Sequence, residues 1–386
     1  MGDRTVLILG GGVGGVVAAH RLRARLPRQD RVVLFDREAQ HVFQPSLLWV
    51  ATGARTPDRI QRPLARLRGK GIEVIQAEVE AIDPARRSVR AGGRELAGDA
   101  LIVALGAELA PESIPGLAEG GCNLYSLPGA RAVHADLARR RDGRVVVLTA
   151  APAYKCPAAP YEAAMLIDGY LRERGVRASV ELDLYAAEAG PMGVAGPAVS
   201  AGVRRIVESK GIRYHPEHQL TAVDPVTRTL SFANGATATY DLLVYVPPHR
   251  APAVVRASGL AGEAGWIGVD RRTLETAHPG VYAIGDVTTI PLKMGKPLPK
   301  AGVFAHRQAE VVADNLVAAW TGQGAPRVFD GHGECFLETG QGRAGFGAGN
   351  FYAEPTPEVT LRAPSRWWHW GKVLFEWRWL RRWFQA

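Results

Sequence analysis

Unbroken apolar runs, each closed by glycine, proline or a polar residue, punctuate the chain at residues 5–9, 31–36, 99–107, 144–149, 179–185, 240–246 and 280–286. They lack a regular polar face, the pattern of strands buried on both sides of a parallel sheet. Between them the apolar positions change to helical spacing: behind Gly15, over 163–171, and over 198–210 with Gly211 as the stop. Residues 71–83 with 87–90 read as a strand leading into a hairpin, and 212–215 and 221–237 supply short strands. Strand and helix alternate, which predicts an α/β fold of tandem, Rossmann-like parallel sheets. Residues 331–340 and 342–351 read as a separate antiparallel hairpin. Four blocks follow, 1–109, 110–240, 241–330 and 331–386, with the run at 240–246 returning the chain to the first unit.

Residues 365–384 break the alternation in another way. Six of the nine Trp of the chain lie there. Arg366, Lys372, Arg378, Arg381 and Arg382 are opposed only by Glu376. Trp370, Val373, Leu374, Trp377, Leu380 and Phe384 fall at helical spacing. A basic, aromatic helix of this kind reads as an interfacial anchor lying in a membrane surface. Packing as an ordinary core helix is the alternative.

Composition adds limits. At 386 residues, 47% hydrophobic and 22% charged, the chain is long enough for two or three full cores. It holds no apolar window of about 18 residues, so no membrane-spanning helix is expected. Met1 to Thr5 runs straight into the first strand, leaving no room for a secretory signal, and Val6 breaks the myristoylation pattern. A net charge of +9 favours an anionic substrate or a lipid surface. No basic run sits in a recognition motif, so nucleic acid is not expected. Cys122, Cys156 and Cys335 are too sparse for a disulfide scaffold, and without a paired C-x-x-C they predict no metal site.

Two strand-to-helix turns carry the chemistry. The first holds Gly10, Gly12 and Gly15 as G-x-G-x-x-G, and the next strand ends in Asp36, placed to bond a ribose hydroxyl. Strand, glycine turn, helix, strand and acid together predict a bound dinucleotide. The second turn, Pro152 to Glu162, stands where a second dinucleotide would bind, and it carries prolines, alanines and Cys156 instead of glycines. Proline removes an N–H donor and alanine adds a Cβ, so this turn is badly built for phosphate. Nicotinamide binding is therefore not expected in the second unit. Lys293, Lys296 and Lys300 lie in a loop that reads mostly as solvated.

The first unit, with Gly106 closing one strand and Gly285-Asp286 another, resembles the FAD half of the glutathione-reductase-like flavoproteins. The whole chain resembles the sulfide:quinone oxidoreductase family. The matches are Phe43-Gln-Pro45-Ser46, Lys155-Cys156-Pro157 with Glu162, Gly285-Asp286, Pro299-Lys300-Ala-Gly302, Cys335, and Trp370 to Glu376. The resemblance implies FAD held by Gly10, Gly12, Gly15, Asp36, Phe43 and Pro45. It extends that set to Val79, Gly106, Asp286, Lys300 and Gly302. It further implies Cys156 and Cys335 flanking the flavin as a redox pair, and Lys372 and Phe375 facing the quinone. The implied partners are sulfide, a membrane quinone and a bilayer surface reached as a peripheral, monotopic protein; self-association as a homo-oligomer is left open.

In that scheme HS⁻ attacks a Cys156–Cys335 disulfide and leaves a persulfide on one sulfur and a thiolate on the other. Glu162 reads either as a proton shuttle or as an exposed carboxylate at a helix start. Two departures stand out. Cys122 falls only roughly at a third family cysteine, with His134 as the nearest histidine, and the loop 191–197 lacks a histidine. Three rivals share parts of the pattern. A type II NADH:quinone dehydrogenase needs a second glycine motif. A flavocytochrome c sulfide dehydrogenase flavoprotein subunit carries a cysteine near position 40, where this chain has His41 and Phe43. A membrane-bound redox sensor would bind FAD without turnover.

Overall fold

The computed structural model describes residues 3–385. Its first sheet has the strand order Val281–Ala283, Ala100–Val103, Thr5–Leu9, Arg31–Asp36, Glu73–Gln76, all parallel. The apolar runs form it because both faces are covered. Val6 and Ile8 point into one cluster with Val16, Leu22 and Val312 of the helices Val13–Arg25 and Gly302–Thr321. Leu7 and Leu9 point into the other, with Val79, Ile82 and Val89 of the small hairpin sheet. Each such side chain contributes about 1.5–3 kcal/mol on burial, which sets the strand register firmly.

The second sheet runs Cys122–Asn123, Leu242–Val246, Gly143–Thr149, Val180–Ala186, Arg213–His215, again all parallel. This corrects one expectation. Leu242–Val246 does not return to the first unit but pairs with Gly143–Thr149, Val147 opposite Val244. Its apolar run suits any doubly covered sheet, so pairing decides. Asp241, just ahead of it, accepts from Arg144 N at 2.8 Å and fixes the register. The chain crosses back only after Val246, where His249–Arg250 pairs antiparallel with Glu108–Leu109.

A third layer is antiparallel: His332–Gly340, Arg343–Asn350 and Glu358–Ser365. The sequence reading omits the last strand, which is exposed or half-buried along its length and lacks an apolar run. Ser365 then caps the terminal helix Arg366–Phe384, its Oγ accepting from Trp368 N at 3.4 Å. The helix after the cysteine turn spans Ala159–Glu173, starting earlier than expected because Pro160 sits in its first turn, where the missing N–H costs nothing. Among the described residues, no helix is long and apolar enough to cross a membrane.

Candidate active site

The strands of the first sheet end at one edge, and there the chain gathers Gly10 to Gly12, Asp36, Gly106 and Gly285-Asp286. Open parallel sheets bind ligands at this edge. The glycines divide by role. Gly10 has φ +106°, and a Cβ on it would lie 2.4 Å from Ala104 O. On Gly15 a Cβ would lie 1.8 Å from Gly10 O, so Gly15 lets helix and turn touch. At Gly12 and Gly106 a Cβ would meet nothing within 4 Å. Those two border open space, and they suit the close approach of a pyrophosphate-bearing group. Asp36 accepts from Gly11 N at 2.5 Å and Glu38 N at 2.8 Å, and burial pushes its carboxyl up. Each oxygen keeps a further lone pair for a ribose hydroxyl.

The side chain of Val79 lies in the core behind the sheet, so only its backbone can face a ligand. Gly302 opens the helix whose Gln308 accepts from Gly285 N at 2.7 Å. Pro45 is exposed and Phe43 is buried. Lys293 and Lys296 are exposed as expected, but Lys300 is not a solvated loop residue. Its Nζ donates to Asp286 O and Thr288 O, both at 2.7 Å, and lies 3.5 Å from the Trp266 ring centre. Burial lowers its pKa to about 8, with Asp286 opposing. Burial raises Asp286, with Lys155 and Lys300 opposing.

Cys156, in the turn after Gly143–Thr149 of the second sheet, meets this edge with φ +50°, a left-handed conformation that costs a residue with a Cβ about 1–3 kcal/mol. Its N–H donates to Lys300 O at 2.6 Å. The Tyr125 hydroxyl reaches Lys155 O at 2.7 Å and Cys156 O at 3.1 Å. Lys300 thus links the cysteine turn to the Asp286 strand end. Burial pushes the Cys156 thiol up to about 12, Glu162 adds to this, and Lys372 opposes it. Cys335 lies on His332–Gly340, its thiol also pushed up by burial, then by the nearby Cys156 and Glu162, with Lys372 opposing. Cys335 keeps accessible surface although protein packs densely around it, as a group lining a recess does. Cys122, Cys156 and Cys335 are not bonded to one another in this structure.

Glu162 is not the exposed helix-start carboxylate of the second sequence reading; it is 4% exposed. It accepts from Glu338 N at 3.0 Å and pairs with Lys372 Nζ at 3.4 Å. Burial raises Glu162; Lys372 opposes the shift and the Glu338 carboxylate adds to it. For Lys372, burial alone would lower the pKa, but Glu162, Glu338 and the two sulfurs outweigh it and hold the proton.

The terminal helix closes the recess. Glu376 is buried and accepts from Ser46 Oγ at 2.7 Å and Arg55 Nε at 2.9 Å. Trp379, Leu380, Trp383 and Phe384 are buried against the first unit. Trp379 stacks on His41 at 4.9 Å, and His41 Nδ1 lies 2.8 Å from Gly11 O. The expected apolar stripe is corrected here, since Leu380 and Phe384 face the body. The exposed stripe is Trp367, Trp370, Leu374 and Trp377. Apolar residues encircle this helix, so spacing alone did not tell which side docks. Phe375 is 5.8 Å from Phe43 and 6.3 Å from Phe336, next to Cys335, and Lys372 lies one turn before it.

His134 does not join the cysteines. It packs against Gly53 and Tyr170. Sequence reasoning missed Tyr125, His249, Glu338 and His369. His249 stands edge-on to Tyr125 at 5.6 Å, and burial lowers its pKa to about 3. In the second sheet Glu188 follows the strand Val180–Ala186, near the place of a nucleotide-binding acid, but its oxygens are taken. They accept from Thr149 Oγ1 at 2.8 Å, from Tyr161 OH at 2.7 Å and from Tyr154 OH. Tyrosines of the cysteine turn and its helix thus hold the acid that a second dinucleotide would need.

Residues 4–309 match the family described as pyridine nucleotide-disulphide oxidoreductase. The chain is 28% identical to a mitochondrial sulfide:quinone oxidoreductase of Mus musculus, covering 91% of this chain and 79% of that protein. It is 27% identical to the sulfide-quinone reductase of Aquifex aeolicus, covering 96% and 89%. The X-ray structure of the sulfide:quinone oxidoreductase from that hyperthermophilic bacterium superposes with a TM-score of 0.86 at 25% identity, over 98% of this chain and 91% of that one.

Proposed function

The chain belongs to the pyridine nucleotide-disulphide oxidoreductase family, and from that premise we propose the route by which it works as a sulfide:quinone oxidoreductase with FAD as its cofactor. The observation that carries the reading is the meeting of Cys156, Cys335, Glu162 and Lys372 beside a glycine cradle, with Phe375 at the same recess. The glycine cradle fits FAD, since Gly12 and Gly106 leave room for it and Gly10 and Gly15 allow the turn that lines it. The first unit holds the cofactor and the second supplies the sulfur turn. FAD, when bound there, accepts an electron pair from sulfur and passes it to quinone.

The residues divide the work. HS⁻ breaks the Cys156–Cys335 disulfide, one sulfur keeping the persulfide and the other leaving as a thiolate. Lys372 faces both sulfurs and offsets the negative charge that burial opposes. Its Nζ and the Phe375 ring flank the opening for the quinone head, the ammonium for the carbonyl oxygen and the ring for the apolar face. Lys300 steadies the Asp286 strand end and, through its carbonyl, the strained Cys156. The exposed Trp stripe lies on the bilayer surface, so that quinone enters from the lipid.

An NADH-dependent reaction is the rival. Against it stand the glycine-free cysteine turn and the engaged carboxylate of Glu188. Anaerobic titration of the flavoprotein separates them. Sulfide bleaches the flavin, a soluble quinone restores it, and Cys156→Ser loses the response. Rapid bleaching by NADH with none by sulfide would reject the assignment.

A further inference from the structure

A line of polar groups runs from the sulfur pair toward the aromatic face. Glu162 comes from the cysteine helix, Glu338 from the strand of Cys335, and Lys372 and His369 from one turn of the terminal helix. Glu162 pairs with Lys372 at 3.4 Å and accepts from Glu338 N at 3.0 Å. The Glu338 carboxylate, 1% exposed, holds His369 Nδ1 at 3.1 Å from each oxygen. The His369 side chain is 25% exposed, and its ring lies between Trp49 and the exposed Trp370, 6.0 Å from each. Nothing in the sulfur chemistry uses Glu338 or His369.

Quinone reduction requires such a line. In HS⁻ + H⁺ + Q → S⁰ + QH₂, two electrons leave sulfide and two protons reach the quinone oxygens. One proton comes from HS⁻, and the other must come from water across a buried site. We propose that His369 and Glu338 form the proton inlet for quinone reduction, a reading that rests on the function proposed above.

The proton enters at the outer nitrogen of His369 as Nδ1 gives one up to Glu338. The hydrogen bond between Glu338 and Glu162 is made by the Glu338 backbone N–H, but the Glu338 carboxylate acts electrostatically on both Glu162 and Lys372. Across that short gap it hands the proton to the pair, and Lys372 donates it to the quinone oxygen. The charged groups facing Glu338 are Glu162, Lys372 and His369, with Cys335 on its own strand and Cys156 beyond it. Burial, then the neighbouring Glu338 carboxylate, raises Glu162 against the opposing Lys372, which favours Glu162 retaining a proton, as a relay needs. A plain anchoring pair is the competing account, since a His–Glu contact also ties the helix to the strand.

Stopped-flow measurement on the FAD-loaded enzyme separates the two half-reactions: bleaching by sulfide without quinone, and recovery on adding a soluble quinone. Glu338→Gln and His369→Ala are expected to slow recovery by roughly tenfold or more while bleaching stays within about twofold, the scale of a lost acid–base step. Added imidazole should restore recovery in His369→Ala, and Glu338→Asp should keep part of it. Wild-type recovery in both variants would overturn the inlet. So would equal losses in both half-reactions without imidazole rescue, which would leave an anchoring pair. Should Glu338→Gln fail to fold, His369→Ala with imidazole carries the test alone. A wild-type protein that sulfide does not bleach would reject the function itself, whatever the variants do.

Discussion

Gly12 and Gly15 sit three residues apart and should fail in different ways when given a methyl group. On Gly15 the new carbon would lie 1.8 Å from Gly10 O, so helix and turn must separate. On Gly12 it would meet nothing within 4 Å, and φ −71° suits alanine. Gly15→Ala is therefore expected to destabilise the apoprotein by about 1–3 kcal/mol or more. Gly12→Ala should stay within about 1 kcal/mol of wild type, the size of a lost N-cap preference, yet purify with little flavin. Melting of the apoprotein and flavin content after purification are the two readouts. A Gly12→Ala protein with full flavin content would remove Gly12 from the cradle. Cys156 makes the complementary point: its left-handed backbone is held by a hydrogen bond to Lys300 O, so strain sits on the residue that must react.

At the scale of elements, the terminal helix is fastened by groups that sense acid. His41 is buried between Gly11 O and the Trp379 ring, and burial lowers its pKa to about 4. His20 Nε2 lies 2.6 Å from Trp383 O, and burial lowers its pKa to about 4 as well. Both are neutral in the folded protein below the pH at which an unfolded histidine takes a proton. The unfolded chain then binds more protons, so stability falls as pH drops from 6.5 toward about 4, and levels off below that. For His41 the full loss is about 3 kcal/mol, from roughly 1.4 kcal/mol per pKa unit. Denaturant titration of wild type and His41→Gln over this range checks it. The variant should lose part of the pH slope, and an unchanged slope would mean that His41 is not the sensor. Which face of this helix docks was hidden from sequence because aromatics surround it; contacts with His41 and His20 choose Trp379 and Trp383 for the interior.

Over the whole molecule, legibility follows distance along the chain. The glycine turn with Asp36 and the proline-rich turn with Cys156 are local signals, and both were readable in order. Cys335 came from resemblance alone, since a lone strand cysteine has no local signature. Ser46 meeting Glu376, 330 residues away, and Glu162 meeting Glu338, 176 away, are facts of folding that no spacing predicts. Likewise the run at 242–246 gave a buried strand but not its sheet.

The same distant packing turns one face outward, and that face carries the last prediction. Trp367, Trp370 and Trp377 are 83%, 63% and 53% exposed on one side of a helix whose other side is riveted to the body. The recess of Lys372 and Phe375 belongs to that helix, so seating the stripe in lipid brings the quinone reservoir to the site. Two forces could hold the protein there, the aromatic stripe and the net charge of +9, and salt separates them. Flotation with neutral vesicles should show binding that persists at about 1 M salt, where the Debye length is near 3 Å. Trp367→Ser/Trp370→Ser/Trp377→Ser should lose well over tenfold in affinity, each Trp being worth about 1–2 kcal/mol at partial exposure. Its sulfide-driven bleaching should stay intact while turnover with membrane-embedded quinone falls. Binding that needs anionic lipid and vanishes in salt, with the triple variant unaffected, would assign attachment to charge and leave the Trp stripe without that role.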